Sequence, residues 1–241
     1  MLNKISDTVY YTKHKYSNLE PAIGYINGDK FSVMIDTGNS KKQIDEFFLD
    51  LEKNNLKKPD VAILTHHHWD HSFGAYYVNT NLVATKKCYE HLKKMTPWLW
   101  DDESMNDRIK LGLDIKFSYD MIKKIYPARD IKIKLPDIYK DSKVTLNLGN
   151  VKVICYPNDN SHSDDAFLVY IEEEKILFLG DSHSKCYDTT PMSFNKEKLK
   201  NYISVIENID FNIAIPGHGN TMTKRELLTL MNLEYAKIKG E

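Results

Sequence analysis

Eight residues, Thr65–Ser72, constrain this chain more than any other stretch of its sequence. They contain four histidines and an aspartate, and they directly follow the short apolar run Val61–Leu64. Side chains two residues apart in an extended segment point the same way, so His66, His68 and Asp70 can converge on one side. Imidazole and carboxylate at this density are typical ligands of a divalent cation such as zinc. The stretch therefore predicts a buried strand that delivers a metal site at its end.

Further candidate ligands are spread along the chain. His71 joins the first set if the chain bends at Asp70, which the small residues within Ser72–Ala75 permit. Three more candidates each follow an apolar run, namely His162 after Val151–Tyr156, Asp181 after Ile176–Gly180, and His218 after Ile213–Ile215. A rigid scaffold commonly presents functional groups at strand ends. Any one of these residues alone is typical of an ordinary turn, but together with the first cluster they favour a shared cation site.

Composition limits the classes of protein that this chain can belong to. Its 241 residues are enough to bury a core without disulfides, and a formal net charge of −1 favours neither nucleic acid nor an anionic membrane as a partner. The three cysteines, Cys88, Cys155 and Cys186, are odd in number and lack CxxC spacing. They indicate a reducing compartment. We expect a cytoplasmic protein with a small-molecule substrate and no membrane partner, and the oligomeric state stays open.

Strand and helix patterns alternate in two halves, which predicts an α/β fold with two packed sheets and helices outside them. Two helix starts carry capping boxes, Ser40-x-x-Gln43 and Thr223-x-x-Glu226. The buried face of the second helix is expected to include Leu227, Leu230, Met231 and Tyr235. No repeat or linker interrupts the pattern, so residues 1–241 are predicted to form a single domain.

Residues 97–141 differ from the rest of the chain. They are rich in aromatic residues and lysine and show little β alternation, which predicts a mostly helical insertion within the domain. One hypothesis makes this segment a lid over the site. The other makes it a helical decoration whose aromatic side chains pack on the core.

The order of the candidate ligands resembles that of the metallo-β-lactamase-fold hydrolase superfamily. The matching blocks are His66-x-His68-x-Asp70-His71, His162, Asp181 and His218, and Asp36-Thr37-Gly38 resembles an early strand-end motif of that family. The resemblance implies a four-layer αββα sandwich of two mixed sheets with a dinuclear metal site at one edge. It assigns His66, His68 and His162 to the first cation and Asp70, His71 and His218 to the second, with Asp181 bridging both.

This resemblance implies hydrolysis by a hydroxide that bridges two divalent cations, with Asp70 and Asp181 orienting the nucleophile or relaying its proton. Zinc is the expected metal, and iron and manganese are the alternatives. A bridging Asp181 resembles the glyoxalase, lactonase and phosphodiesterase branches, and the aromatic residues of 97–141 indicate a partly apolar substrate, so an ester, thioester or lactone is favoured. A phosphodiester is the alternative within hydrolases, and an iron-dependent sulfur dioxygenase is the alternative of another class. A metal-dependent binding module is less favoured because the ligand set is intact. The resemblance does not extend to His14, His67, His91 or His183, which are expected to be structural.

Overall fold

Two mixed β-sheets face each other in this protein, and helices cover both outer faces. The computed structural model describes residues 1–187 and 191–238. The first sheet has the strand order β1 (Leu2–Lys4), β2 (Val9–Thr12), β3 (Gly24–Asn27), β4 (Ser32–Ile35), β5 (Val61–Ile63), β6 (Asn81–Ala84), β7 (Ile138–Tyr139). Across the second sheet the order is β13 (Met222–Thr223), β12 (Ile213–Pro216), β11 (Ile176–Gly180), β10 (Ala166–Ile171), β9 (Lys152–Asn158), β8 (Val144–Asn147).

The helices fall into two groups along the chain. Those in the first half are α1 (Lys41–Lys53), α2 (Trp69–Ser72), α3 (Lys86–Met95), α4 (Asp102–Lys110) and α5 (Lys116–Ile125), with 3-10 turns at Tyr16–Asn18 and Phe73–Tyr77. The second half contributes α6 (Lys196–Asn208) and α7 (Lys224–Lys237). Apolar side chains of α1 and α3 pack on the first sheet, whereas those of α6 and α7 pack on the second.

The central strands of the second sheet contribute side chains to two cores, because successive side chains alternate between its two faces. Successive side chains of a strand point to opposite faces, so a strand buried on both sides is apolar throughout. In β10, Phe167, Val169 and Ile171 join the core between the two sheets, while Leu168 and Tyr170 join the core under α6 and α7. The predicted four-layer αββα architecture is therefore confirmed.

Both helices begin at the predicted caps, but only α7 has a full capping box, since the Gln43 side chain accepts from Asn39 and not from Ser40, and one predicted buried face is wrong. Ser40 accepts the backbone N–H of Gln43 at the start of α1, and Thr223 and Glu226 form the reciprocal capping box of α7. Leu227 and Met231 are buried as expected, but Leu230 is 40% exposed. Its predicted burial is wrong, because α7 presents only a narrow stripe to the second sheet and Leu230 lies beside that stripe.

Residues 97–141 contain α4, α5 and β7, and their large aromatic side chains divide between core and solvent. Trp100, Tyr119 and Tyr126 are buried in the outer core that also holds α1 and α3, and Tyr126 donates its hydroxyl hydrogen to the carbonyl oxygen of Asn39 at 2.7 Å. Phe117 and Tyr139 are exposed. The segment thus anchors to the outer layer of the first sheet, and a lid function stays a prediction.

A search of the described residues finds no helix with the length and apolarity needed to cross a bilayer.

Gly74 lies where the turn after β4 meets the chain after α2. Its N–H donates to the carbonyl oxygen of Gly38 at 2.9 Å, and a Cβ at this position would lie 1.8 Å from the carbonyl oxygen of Thr37. Because that atom belongs to the backbone, the clash can be relieved only by separating the two segments.

We expect Gly74→Ala to lower the free energy of unfolding by about 2 kcal/mol or more, as overpacking against backbone does. For a chain of this size the melting temperature should fall by roughly 4–8 °C. Gly112→Asn is the matched control, because Gly112 ends α4 with φ +68° and open space around it, a conformation that asparagine accepts. Equal melting temperatures for Gly74→Ala and the parent protein would contradict the expectation.

Candidate metal centre

Strand direction brings the predicted ligands to one edge of the sandwich. In the first sheet β4 and β5 run parallel, so Asp36 and the His66–His71 segment follow neighbouring strand ends. In the second sheet β11 and β12 are parallel, and β9 has the same direction because both β9 and β11 pair antiparallel with β10. Parallel strands end at the same edge, which places His162, Asp181 and His218 together.

Three imidazoles form the first ligand group. His68 Nδ1 lies 3.0 Å from His66 Nε2 and 2.9 Å from His162 Nε2. His66 is buried at the end of β5, and His162 is buried in the loop between β9 and β10. The structure thus brings His66 and His68 of the first cluster together with His162, which lies 94 residues beyond His68.

Hydrogen bonding shows that this group is suited to a cation. A carbonyl oxygen can only accept, so His162 Nδ1 donates to the Lys185 carbonyl and its Nε2 carries the lone pair. The Thr65 hydroxyl donates to Asp36 and therefore accepts from His66 Nδ1, which again leaves the lone pair on Nε2. His68 Nδ1 can donate to only one of these two lone pairs. The lone pair of the remaining ring, His66 or His162, is then left without a donor, and a cation shared by the three rings would satisfy it.

Two carboxylates and two imidazoles form the second ligand group, Asp70, His71, Asp181 and His218. His218 Nε2 lies 2.8 Å from Asp70 Oδ2, and His71 Nε2 lies 3.6 Å from a carboxylate oxygen of both Asp70 and Asp181. Within the described part of the chain, His71 Nε2 and Asp181 Oδ1 are buried without a hydrogen-bond partner. A buried polar atom without a partner is costly, so these two atoms indicate a place where a cation could bind.

Asp181 lies between the two groups. Its Oδ1 is 3.6 Å from His71 Nε2, while its Oδ2 is 3.7 Å from His162 Nε2 and 3.8 Å from His218 Nε2. The carboxylate of Asp181, at the end of β11, therefore lies within 3.8 Å of ligand nitrogens from both groups.

Burial and neighbouring charge set the protonation of the site. Burial and the surrounding imidazoles hold the pKa values of His66 and His68 well below the ordinary range, so both are neutral, as metal ligands must be. Although burial opposes ionisation of Asp181, the imidazoles of His218, His71 and His162 hold its pKa well below the ordinary value. Burial likewise opposes a charge on His71, yet the carboxylates of Asp70, Asp36 and Asp181 raise its pKa well above the ordinary value. The carboxylates of the second group therefore favour positive charge beside them, whereas the first group is three neutral imidazoles.

Asp36 supports ligands of both groups without belonging to either. Its Oδ1 accepts the Thr65 N–H at 2.7 Å, and its Oδ2 accepts from the Thr65 hydroxyl at 2.8 Å and from His71 Nδ1 at 2.8 Å. Thr65 in turn accepts from His66, as described above. A partner on the second nitrogen fixes the ring orientation and tautomer of a ligating histidine. Asp36 thus orients His71 directly and His66 through Thr65.

The four histidines expected to be structural all lie outside the two ligand groups. His67 and His91 stack on each other with ring centroids 4.2 Å apart, and His91 Nε2 contacts Asp164 at 2.8 Å. His14 Nδ1 accepts the Gly219 N–H at 3.2 Å. His183 has a buried Nδ1 with no hydrogen-bond partner in the described residues.

Sequence reasoning gave no role to two buried carboxylates beside the ligands. The Asp36-Thr37-Gly38 block was noted for its resemblance alone, although its position at a strand end was a signal for Asp36. Asp165 contacts both the backbone and the ring of His67. Its neighbour Asp164 has the same side chain, so no signal in the sequence separates the two.

Comparisons with known proteins agree with this architecture. A family model described as the metallo-beta-lactamase superfamily matches residues 20–238, and the chain belongs to that superfamily. The human acyl-coenzyme A thioesterase MBLAC2 is 22% identical over 255 residues, covering 97% of this chain and 86% of the human protein. The bovine MBLAC2 thioesterase is also 22% identical, over 258 residues with the same coverage.

Solved structures show the same fold at low identity. A metallo-beta-lactamase from Pontibacter korlensis superposes with a TM-score of 0.68 at 18% identity and covers 99% of both chains. The sec-alkylsulfatase Pisa1 from Pseudomonas sp. gives a TM-score of 0.67 at 14% identity, covering 97% of this chain and 40% of its own. The chain is thus a hydrolase-superfamily member whose described residues include two groups able to hold metal ions.

We expect Asp36→Asn to weaken cation binding by about 10–100-fold, because it removes the charged acceptor that orients His71 and Thr65. Asparagine tolerates the left-handed backbone of Asp36, whose φ is 57°, so the turn itself should persist. Competition with a chelator measures the affinity. Asp60→Asn is the control, since Asp60 accepts the Ser32 N–H at 2.7 Å at the opposite end of β4. Equal affinities in the two variants would contradict the role of Asp36.

Proposed function

We propose that this protein is a dinuclear metal-dependent hydrolase that acts on an ester, thioester or lactone-type substrate. His66, His68 and His162 would hold one cation, Asp70, His71 and His218 would hold the other, and Asp181 would bridge them. Zinc suits this set of nitrogen and oxygen donors, and iron and manganese are the alternatives. The position of Asp181, within 3.8 Å of ligands from both groups, carries the proposal.

Among these substrates an acyl thioester has the most support. Both curated relatives reported above are acyl-coenzyme A thioesterases, and each match spans 97% of this chain. Thioesters and esters share the electrophilic acyl carbon, so the same site chemistry serves either. A thioester differs in its leaving group, a thiolate that needs little protonation to depart.

The residues of the chain supply position and charge for this reaction. Two bound divalent cations would polarise the substrate's carbonyl oxygen and lower the pKa of an attacking water molecule. The ionised Asp181 would keep the two ligand groups at a fixed separation. Asp70 would orient the water and hold its proton while the oxygen adds to the acyl carbon. The carbon–sulfur bond then breaks, the acid leaves, and the thiolate takes up the proton.

The lysines of residues 97–141 give little support to a phosphodiester substrate. Lys116 pairs with Asp120 at 2.7 Å, Lys123 pairs with Asp102 at 2.6 Å, and Lys132 lies over the ring of Tyr76. Lysines that are already paired on an exposed surface form a solvated face and do not converge as a phosphate site does. The ester and thioester class is therefore preferred.

A substrate screen with the metal-loaded protein tests the proposal. We expect hydrolysis of acyl thioesters, weaker turnover of simple esters and lactones, and little or none of β-lactams and phosphodiesters. Removal of the metal by a chelator should abolish turnover, and addition of Zn²⁺ should restore it. Oxygen consumption with an iron-loaded sample would favour the sulfur dioxygenase instead. A filled dinuclear site with no turnover of any substrate would favour a binding module.

Loss of one ligand from each group should remove both metal and activity. We expect His66→Ala and His218→Ala to abolish turnover and to lower the bound metal measured by elemental analysis, since each removes a nitrogen donor from its group. His91→Gln is the control, because His91 stacks on His67 and pairs with Asp164 but belongs to neither group. Full activity in His218→Ala would refute the second group as a cation site.

A further inference from the structure

Asp165 is a buried carboxylate that belongs to neither ligand group. Its Oδ2 accepts the backbone N–H of His67 at 2.9 Å, and its Oδ1 lies 3.1 Å from Nδ1 of the same histidine. The hydroxyl of Ser163 also donates to Oδ1. Despite its burial, the pKa of Asp165 is held well below the ordinary value by His67, Ser163 and His68. An ionised group in such a place persists only because charge-assisted hydrogen bonds surround it.

These contacts join two loops that come from different sheets. His67 lies between the ligands His66 and His68 in the loop after β5 of the first sheet. Ser163 directly follows the ligand His162 in the loop after β9 of the second sheet. Asp165 lies in this second loop, so its contacts to His67 cross between the sheets, while its contact to Ser163 orients the carboxylate within its own loop. Through these contacts one carboxylate touches a sequence neighbour of every member of the first ligand group.

The surroundings of Asp165 keep this link rigid. Its carbonyl oxygen accepts from the Thr85 hydroxyl at 2.7 Å, and Thr85 is the N-terminal cap of α3. Two residues later, Phe167 donates its N–H to the Thr65 carbonyl at 2.7 Å, which again ties the second sheet to the loop of the ligands. Hydrogen bonds thus hold both the backbone of Asp165 and its carboxylate.

We infer that Asp165 is a positioning residue that sets the distance of His162 from His66 and His68 and thereby controls cation affinity at the first ligand group. The inference rests on the proposed dinuclear metal centre. It leaves the second ligand group to other supports, because among the described residues Asp165 makes no hydrogen bond or ion pair to Asp70, Asp181 or His218. A device of this kind orients ligands without touching the cation or the substrate.

Asp164 provides a matched control on the same loop. Its side chain is 40% exposed and pairs with His91 at 2.8 Å and with Lys87 at 3.2 Å. It has the same chemistry as Asp165 and lies one residue away, but its side chain joins the loop to Lys87 and His91 of α3. Asp164→Asn and Asp165→Asn therefore differ mainly in the link between the two ligand loops.

The test is a cation competition experiment on the full chain loaded with Co²⁺, whose visible absorption spectrum reports ligand geometry. His162→Ala and His218→Ala provide the reference signatures for loss of the first and second groups. We expect Asp165→Asn to release one equivalent of Co²⁺ about 10–100-fold more readily to a chelator, with a spectrum that shifts toward that of His162→Ala. Asp164→Asn should match the parent protein in both measurements.

A milder variant guards against a failure of Asp165→Asn to fold. Ser163→Ala removes the hydroxyl that orients the carboxylate within its own loop and leaves the His67 contacts, so it should weaken binding of the same equivalent of Co²⁺ by a smaller factor. Thermal unfolding of each metal-free variant separates a folding defect from a binding defect. If Asp165→Asn does not fold, selective weakening in Ser163→Ala supports the inference, and unchanged binding overturns it.

The remaining outcomes separate this inference from the proposed function. Parent-like Co²⁺ affinity and spectrum in a folded Asp165→Asn variant would overturn the positioning role while leaving the metal-dependent hydrolase intact. A spectrum that moves toward that of His218→Ala would also overturn it, since the wrong group would have responded. A parent protein that binds no divalent cation would overturn both.

Discussion

The rest of the site depends on one constraint, which is that the buried carboxylates at this edge of the two sheets need positive charge beside them. Asp36, Asp70 and Asp181 are buried there beside five imidazoles. Carboxylates removed from water need compensating charge, and a buried imidazole lone pair that lacks a donor needs another partner. The raised pKa of His71 and the lowered pKa of Asp181 both express this demand for positive charge. A pair of divalent cations would meet it with the ligands already in place.

Sheet topology brings these groups to one place, and a smaller set of hydrogen bonds orients them. The shared direction of β9, β11 and β12 places three ligands at one edge of the second sheet. Asp36 then orients rings of both groups, and Asp165 spans the gap between the loops. The candidate ligands and the residues that orient them are thus different side chains.

The long periodic elements were predictable because each carries its signal locally. The capping residues Ser40 and Thr223 begin helices as expected, and the continuous apolar runs became central strands. The short strands β1, β7 and β13 have only two or three residues each, too few for a period to emerge. The prediction for Leu230 is wrong because helical spacing indicates which side of a helix a residue lies on. It does not indicate how much of that side the neighbouring sheet covers.

The sequence by itself indicated the candidate ligands, since histidines and aspartates at strand ends are identifiable wherever the chain places them. The alternation of strand and helix patterns indicated two packed sheets with helices outside, and the family resemblance implied the four layers. Only the tertiary structure decided which carboxylates hold the ligands in position. Asp36 contacts His71 across 35 residues and Asp165 contacts His67 across 98 residues, and nothing local distinguishes Asp165 from Asp164. Such pairings exist only after two sheets have packed, because strand direction and loop path determine which distant side chains meet.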